Sequence, residues 1–403
     1  MLQVYPKCHH LNVAFIFGSL MGITPWQFMF PDNSYLQRIY AYYSNSLLGF
    51  FVFFLVTCYI DVFIILTKKE MIIADLTANL GSTLLYSVII ARLFIFKLNP
   101  LFVELLWNII YNGKSLMNED SHVELQEISK KVAKSNRFKI ILYLLSILAA
   151  TIILMTGTLL TGPVEVENGN ETVRSLSGQA WLPFDQQINI VSASIWFYIT
   201  LMIGASFVNY TDILMLGLIL YPIEELKFMQ HVIKNFDNFK RKREISNAVD
   251  SSRSTFIDIM QRHQAIIEYV KVFNSILGFI MLVDFLQSSL HIAVLLKHVI
   301  LNKQNLAIAI SESSHLMAMI VRPFFYYYCA NEVTTCSHEL ITAVCESNWY
   351  DRSRSVQMML LLFTMRANKP LVYNIGPFGI MTMQSFINVM RIAYSYATLL
   401  LTF

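Results

Sequence analysis

Charged side chains are scarce in this 403-residue sequence, where they make up 14% of the residues, against about 25% in soluble chains. Hydrophobic residues account for 55% and aromatic residues for 13%. A water-soluble globule cannot hide so large an apolar fraction, because its surface needs more charge to stay solvated. The composition therefore excludes a soluble protein and predicts an integral membrane protein.

The sequence also lacks the motifs of catalysis and of metal binding. It contains no Walker loop, no HExxH, no GxSxG and no pair of carboxylates placed for acid–base work within an apolar segment. The five cysteines form no CxxC pair and no Cys/His cluster with metal spacing, which favours thiols packed as small hydrophobic groups. A net charge of +3 is too small to indicate a nucleic acid partner. We expect no enzyme activity, no cofactor and no metal site.

Seven apolar windows are long enough to cross a bilayer, which requires about 20 residues of helix. They run over 45–66, 72–96, 138–161, 188–220, 272–296, 305–329 and 376–401. The fourth window continues in helical spacing to Phe228, so this helix is expected to project into water. Two shorter apolar segments cannot span. Residues 13–29 are interpreted as re-entrant or interfacial, and 353–367 as a helix buried among other protein helices beside the membrane.

The positions of the basic residues predict the orientation of these spans. With the N-terminus inside, twenty-two Lys and Arg lie on the cytoplasmic side and five lie outside. The twenty-two comprise two before the first span, seven at 97–139, nine at 227–271 and four at 352–369. The positive-inside rule therefore predicts a cytoplasmic N-terminus and an extracellular C-terminus. The loop 162–187 is then outside, and its sequon makes Asn170 a candidate glycosylation site.

The windows and the charges divide the chain into six expected parts. These are a cytoplasmic N-terminus with the interfacial segment (1–44), helices one to four (45–220), a cytoplasmic extension of helices four and five (221–271), helices five and six (272–329), a cytoplasmic segment (330–375) and helix seven (376–403).

Ionisable groups within the spans are few, and each is a functional candidate by default. They are Asp61, Asp75, Arg92, Asp212, Asp284, Glu312, His315 and Arg391, with Arg322 set aside as embedded. They form no repeated ladder of the kind typical of a proton relay or a voltage sensor. We therefore expect most of them to lie near a helix end or to meet a partner helix.

Uncharged polar side chains mixed with methionine and leucine concentrate in the outer halves of spans two, three, four and six. Such a mixture suits a cavity for a small, largely hydrophobic ligand. The alternative, in which Ser and Thr only mediate helix packing, stays open. The candidate ligand-binding residues are Leu76, Asn79, Thr83, Thr151, Leu154, Met155, Thr158, Ile195, Tyr198, Met202, Ser311, Ser314, His315 and Met319.

The last span distributes polar residues, among them Ser395, between apolar turns. Leu399 and Phe403 are four residues apart and share a helix face, with Thr402 adjacent, as a pore helix with a hydrophobic gate requires. One helix cannot enclose a pore, so several subunits would have to contribute it. The alternative is an ordinary lipid-facing helix.

The C-terminal third resembles the end of insect odorant receptors. The resemblance rests on a series of short motifs, which are YCANEV from Tyr328, SHEL from Ser337, SNWY from Ser347, MRANKPL from Met365 and AYSYATLL from Ala393. Their order and spacing match the family over about 75 residues, and the reversed seven-helix topology matches over the rest. The insertion that co-receptors carry between spans four and five is absent here, which favours a tuning subunit.

The resemblance implies a ligand-gated cation channel in the plasma membrane of a sensory neuron dendrite, formed as a heterotetramer with the olfactory co-receptor. It implies a pocket for a volatile odorant in the outer halves of spans two, three, four and six. It makes 45–220 the ligand-binding part, 221–271 and 330–375 the anchor that holds the subunits together, and 376–403 the pore-lining helix. Within these parts it assigns Trp349 and Tyr350 to the anchor, Leu399 and Phe403 to the gate, and Thr402 to a position where co-receptors have glutamine.

Three alternatives remain at this level. A gustatory receptor of the same superfamily is disfavoured by the AYSYATLL tail. A metabotropic seven-helix receptor needs the opposite orientation and an Arg motif at the end of span three, which instead ends in Gly162 and Pro163. A transporter is disfavoured because the chain lacks inverted repeats.

Overall fold

The structure is a computed structural model. It describes residues 11–24, 34–67, 73–111, 123–161, 164–168, 171–175, 181–182, 189–236, 248–301 and 306–402. Within these ranges the α-helices are α1 (Asn12–Leu20), α2 (Ser34–Thr67), α3 (Ile73–Leu98), α4 (Pro100–Tyr111), α5 (Val123–Thr161), α6 (Ile190–Lys234), α7 (Ala248–Leu301), α8 (Leu306–Cys345), α9 (Arg354–Ala367) and α10 (Met383–Thr402). Two short strands, β1 (Val164–Asn168) and β2 (Glu171–Ser175), join α5 to α6.

The long helices confirm the predicted all-α membrane fold. Seven of the described helices, α2, α3, α5, α6, α7, α8 and α10, overlap the seven predicted windows. Among the described residues, α2, α3, α5, α6 and α7 are long and apolar enough to cross a membrane by themselves. The remaining two, α8 and α10, are more polar, because α8 contains Glu312, His315 and Arg322 and α10 contains Gln384 and Arg391.

Helices α6, α7 and α8 comprise 45, 54 and 40 residues, more than the roughly 20 residues that cross a bilayer, and α6 continues through Phe228 as its spacing predicts. Ion pairs and hydrogen bonds hold α6 to α8 in this region: Lys227 Nζ lies 2.6 Å from Glu339 Oε2, and Gln230 Nε2 donates to the Cys336 carbonyl at 2.7 Å. The short helix α9 packs on α7 and α8 through Leu360 and Phe363, which are buried. A helix is therefore present at 353–367 as predicted, but only one of its faces is buried, because Leu361 and Leu362 are each more than half exposed. The six-part division stays a prediction.

Two elements were not predicted from the sequence. The helix α4 follows α3 directly, and the Asn99 side chain caps its start by accepting a hydrogen bond from the Leu101 amide at 3.0 Å. Proline at the first position suits a helix start. The strands β1 and β2 form an antiparallel hairpin in which Val164 pairs with Ser175 and Asn168 with Glu171.

The segment interpreted as re-entrant begins as the short helix α1, which packs on α6. Gly18 lies so close to α6 that an added Cβ would be 2.0 Å from the Tyr210 ring. The chain then turns at Gly22, where φ is +66°, a conformation that L side chains rarely adopt. The rest of this predicted segment, from residue 25, lies outside the described residues.

The link between α9 and α10 is held against the core by hydrogen bonds to α6, α7 and α8, the last from the Leu371 amide to Ser337 Oγ at 3.0 Å. Asn274 of α7 donates to the Val372 carbonyl at 2.9 Å and accepts from the Asn374 amide at 2.9 Å. The Tyr373 hydroxyl donates to the Ile219 carbonyl of α6 at 3.1 Å. Beyond the link, α10 packs mainly on α7 and less on α8. A face of small residues on α10, Val389, Ala393 and Ala397, is buried.

Candidate ligand-binding site

A small cavity of about 80 Å³ lies between α3, α5, α6 and α8. It is lined by Leu85, Tyr86, Ile147, Ala150, Thr151, Leu154, Leu201, Ala205, Val208, His315, Ala318 and Met319. Twelve residues from four helices surround it, and nine of them are aliphatic or methionine. Because pockets for drug-sized ligands span about 300–1,000 Å³, this cavity suits a small apolar molecule.

Four of the predicted ligand-binding residues line this cavity, namely Thr151, Leu154, His315 and Met319. They come from two helices, α5 and α8. The agreement concerns position only, and binding by these residues stays a prediction.

Other predicted ligand-binding residues lie elsewhere in the structure. Asn79 donates to the Asp61 carboxylate, and the Thr83 hydroxyl donates to Asn79 Oδ1 at 2.9 Å, so this group links α2 to α3. Ile195 and Met202 are exposed, at 56% and 53%, on the outer surface of α6. The contacts of Asn79 and Thr83 correspond to the helix-packing alternative, whereas Ile195 and Met202 face away from the helix bundle.

The serines of α8 pack against α5. An added Cβ on Gly157 would be 2.5 Å from Ser311 Cβ, and Ser314 Oγ lies 3.4 Å from the Ala150 carbonyl. Small residues therefore allow α5 and α8 to approach closely here, which is the packing role that the sequence left open.

The remaining predicted ligand-binding residues are outside the lining. Leu76, Met155 and Tyr198 are partly buried, and the Tyr198 ring lies 5.4 Å from that of Phe197. The Thr158 side chain lies outside the described part of the chain.

The lining residues that the sequence did not single out are almost all aliphatic, such as Ile147, Leu201, Ala205 and Val208. They belong to segments that are apolar on every side, so no local signal separates a residue facing a cavity from one facing lipid. Tyr86 is the one lining residue outside the predicted set with a polar group.

A histidine pair lies at the edge of the cavity. The rings of His291 in α7 and His315 in α8 meet edge to face, with centroids 5.4 Å apart and planes at 78°. Gln287 Nε2 lies 3.2 Å from His291 Nδ1. His315 is part of the cavity lining, whereas His291 is not.

A cluster of four buried charges lies beside the cavity. Arg322 Nε contacts Asp212 Oδ2 at 2.8 Å, and its Nη2 contacts Asp284 Oδ1 at 2.7 Å. Arg92 reaches the same two carboxylates, with Nη1 2.7 Å from Asp212 and Nη2 3.0 Å from Asp284. The Tyr143 hydroxyl also donates to Asp212, at 2.7 Å.

The cluster joins five helices and carries no net charge. The charges of the two arginines and the two aspartates cancel. The hydroxyls of Tyr143 and Tyr326 donate to Asp212. Burying charges in a membrane protein costs less when each is paired and hydrogen-bonded. In the sequence, Arg92, Asp212 and Asp284 are separate functional candidates. The structure brings them into one group with Arg322.

The cavity and the charge cluster are one helical turn apart. On three helices the residue lining the cavity lies four positions from a residue of the cluster, as Ile147 does from Tyr143, Val208 from Asp212 and Ala318 from Arg322. Four residues rise about 6 Å along a helix. A molecule in the cavity therefore sits directly beside the backbone segments that carry the cluster.

A larger cleft of about 520 Å³ opens between α4, α6 and the N-terminal half of α7. Its lining includes Glu104, Glu225, Glu268 and Arg262, and Arg262 Nη1 lies 3.3 Å from Glu225 Oε2. This charged lining fits an uncharged hydrophobic ligand poorly, so the smaller cavity is the better candidate for such a ligand.

The predicted assembly and pore residues lie at the surface of the chain where they are described. Trp349 and Tyr350 are 47% and 62% exposed and follow α8. Leu399 is 56% exposed on α10, and Ser395 Oγ donates to the Arg391 carbonyl at 3.0 Å. The Thr402 side chain, Phe403 and Asn170 lie outside the described residues. These assignments stay predictions.

Comparison with known proteins identifies relatives of this chain. A family model described as 7tm Odorant receptor matches residues 72–394. The chain is 30% identical over 183 residues to Odorant receptor 10 of Aedes albopictus, covering 45% of this chain and 47% of that protein. It is 30% identical over 143 residues to Odorant receptor Or2 of Anopheles gambiae, covering 36% and 38%. These matches span less than half the length of either relative.

The fold also matches a solved structure over its whole length. The olfactory receptor OR5 of Machilis hrabei in complex with eugenol superimposes with a TM-score of 0.77, covering 99% of this chain and all of that chain, at 16% sequence identity. A second structure of the same receptor superimposes with a TM-score of 0.71 over 97% of each chain. At this identity the likeness concerns the fold.

Proposed function

The chain belongs to the 7tm odorant receptor family, and on that basis we propose that it is a tuning subunit that binds a small volatile organic molecule and opens a cation channel. It is a multi-pass membrane protein. We propose that it acts in the plasma membrane of a sensory neuron dendrite, in a heterotetramer with the olfactory co-receptor. The family membership favours an odorant receptor over the gustatory and metabotropic alternatives.

The observation that carries this proposal is the apolar cavity one helical turn from the buried charge cluster. Its volume of about 80 Å³ and its largely aliphatic lining suit a compact hydrophobic ligand. The related Machilis hrabei receptor is described in complex with eugenol, and a small organic ligand is proposed for this chain.

The packing of α7 supports a route from the ligand to the pore. Asp284 of α7 pairs with Arg92 and Arg322 in the charge cluster, and α7 packs along α10, where Ala393 and Ala397 are buried. A ligand that binds one arrangement of α6 and α8 better than another shifts the population of that arrangement. Through the cluster, such a shift reaches α7 and then α10.

Exposed apolar surface supports assembly with other subunits. On α9, Met358, Leu361, Leu362 and Met365 recur at helical spacing and are each more than half exposed, although α9 lies in the cytoplasmic part of the bundle. An apolar stripe of this kind in water marks a contact surface. The pore helix α10 also exposes large apolar side chains, among them Tyr394 and Leu399, which neighbouring subunits would cover.

Expression in oocytes with and without an insect co-receptor tests the proposal. We expect inward cation currents in response to volatile panels only when the co-receptor is present, and we expect them to persist when G-protein signalling is inhibited. Responses that never depend on the co-receptor and disappear with the inhibitor would overturn the channel and support a metabotropic receptor.

A further inference from the structure

We propose that His315, held in place by His291, is the hydrogen-bonding residue of the cavity and makes this receptor prefer odorants with a compact hydroxyl or carbonyl group over hydrocarbons of the same shape. The inference rests on the proposed function and adds the chemical class of the ligand. It follows from the distribution of polar atoms around the cavity.

Only three lining residues, Tyr86, Thr151 and His315, carry a polar side chain. The Thr151 hydroxyl donates to the Ile147 carbonyl of its own helix at 2.9 Å, so its proton is already engaged. The Tyr86 hydroxyl lies against α6, 3.6 Å from where a Cβ on Gly204 would be. His315 is therefore the candidate partner for a polar group of the ligand, with the Tyr86 hydroxyl as the alternative that Tyr86→Phe tests.

The second histidine fixes the position of the first. An amide nitrogen can only donate, so Gln287 Nε2 donates to His291 Nδ1 at 3.2 Å and the proton of neutral His291 is on Nε2. His291 also hydrogen-bonds the backbone of Gly81 in α3. With both ring nitrogens engaged, His291 presents a fixed ring to His315, at a centroid distance of 5.4 Å.

His315 itself keeps hydrogen-bonding capacity. Its ring nitrogens make no hydrogen bond to any residue that the structure describes, although it lies within the bundle and lines the cavity. A neutral imidazole offers one donor and one acceptor. It can therefore accept from a hydroxyl, donate to a carbonyl, or do both in turn. A hydrocarbon in the same cavity leaves this buried polar ring without a partner, which is unfavourable.

The expected effect is a preference between odorants matched in shape. A site that hydrogen-bonds a hydroxyl discriminates strongly against the analogue that lacks it, whereas an apolar site distinguishes the two weakly. We expect the half-maximal concentration for the hydroxyl member of a pair to be at least about tenfold lower than for the methyl member.

The test measures this ratio in oocytes that express the chain with the co-receptor. The probes are 4-methylphenol against 1,4-dimethylbenzene, and cyclohexanol against methylcyclohexane. In His315→Phe the ratio should fall to about one, because the methyl member loses nothing while the hydroxyl member loses its partner. His315→Leu gives a second measurement if the phenylalanine variant does not reach the membrane.

Thr151→Val and Tyr86→Phe are the matched controls, because each removes another polar group of the same cavity. Both should keep the wild-type ratio. His291→Leu should lower the ratio, and His291→Asn, which keeps an acceptor for Gln287, should recover part of it. A merely structural role of His291 would lower both responses equally and leave the ratio unchanged.

Several outcomes would overturn the inference alone. These are a wild-type ratio near one, a ratio that is unchanged in both His315 variants, or a ratio that falls to about one in Thr151→Val or Tyr86→Phe instead. The absence of any co-receptor-dependent current from the wild type for all volatile panels would overturn the proposed function, and the inference with it.

Discussion

Arg322 and Asp212 form a two-point ion pair between α8 and α6, with Nε 2.8 Å from Oδ2 and Nη2 3.3 Å from Oδ1. Both side chains are fully buried or nearly so. Removing one partner of such a pair leaves a buried charge without compensation, which costs about 3–5 kcal/mol. The pair is therefore expected to be needed for folding.

The first prediction concerns this pair. In Asp212→Asn two arginines share the single carboxylate of Asp284, so we expect a loss of most folded protein at the cell surface, measured by surface biotinylation and by thermal unfolding in detergent. Adding Arg322→Gln restores neutrality and should recover part of the folded protein. Asp258→Asn, at an exposed position of α7, is the control. Wild-type amounts of folded Asp212→Asn would contradict the prediction.

The second prediction concerns the approach of α5 and α8. Gly157→Ala brings a Cβ to 2.5 Å from Ser311 Cβ, so the helices must move apart, and overpacking of this kind costs about 1–3 kcal/mol. We expect a lower unfolding temperature in detergent. Gly49→Ala is the matched control, because an added Cβ at Gly49 meets no atom within 4 Å. Equal stabilities of the two variants would contradict close packing at Gly157.

The seven long helices could be predicted from the sequence because each overlaps an apolar window of bilayer length. The helix over 353–367 could be predicted because its apolar face is flanked by charges. The hairpin at 164–175 and the helix α4 were missed. The hairpin is short and polar, and α4 is apolar but too short to stand out beside the spans. The sequence therefore indicated the spanning architecture better than the connections.

The candidate site was only partly predictable, for a physical reason. Composition identified Thr151 and His315, but the rotation of a helix that is apolar all round is set by its neighbours, so the outward direction of Ile195 could not be read from the sequence. The charge cluster was missed as a unit, because Arg92 and Asp212 are 120 residues apart in sequence. Only the fold brings them within hydrogen-bonding distance.

The third prediction tests the assembly surface on α9. Leu361→Glu together with Leu362→Glu adds two charges to the exposed apolar stripe, so we expect loss of co-purification with the co-receptor, while the chain still folds because both side chains are more than half exposed. Ser355→Glu, at an exposed polar position of the same helix, is the control. Unchanged co-purification of the double variant would show that the stripe faces no subunit.

The fourth prediction tests the orientation through the loop after α5. If 162–187 is extracellular, Asn170 in its sequon is available for glycosylation. Asn170→Gln should then abolish the shift in gel mobility that a peptide N-glycosidase produces. The sequence contains another sequon, Asn209-Tyr210-Thr211, but Asn209 is buried within α6, so Asn209→Gln should keep the shift. A shift that survives Asn170→Gln and disappears in Asn209→Gln would contradict the predicted topology.

The last prediction concerns the gate. Leu399 is exposed on α10 in the single chain, and in the proposed assembly it narrows the pore as a hydrophobic constriction that excludes water. Leu399→Ala shortens this side chain, so we expect a larger current without odorant, normalised to the amount of protein at the surface. Ile387→Ala is the control, because Ile387 is also exposed on α10 but twelve residues away, about 120° around the helix. A basal current that rises in Ile387→Ala and not in Leu399→Ala would assign the constriction to the other face of α10. Equal basal currents in both variants and the wild type would show that Leu399 is not part of the gate.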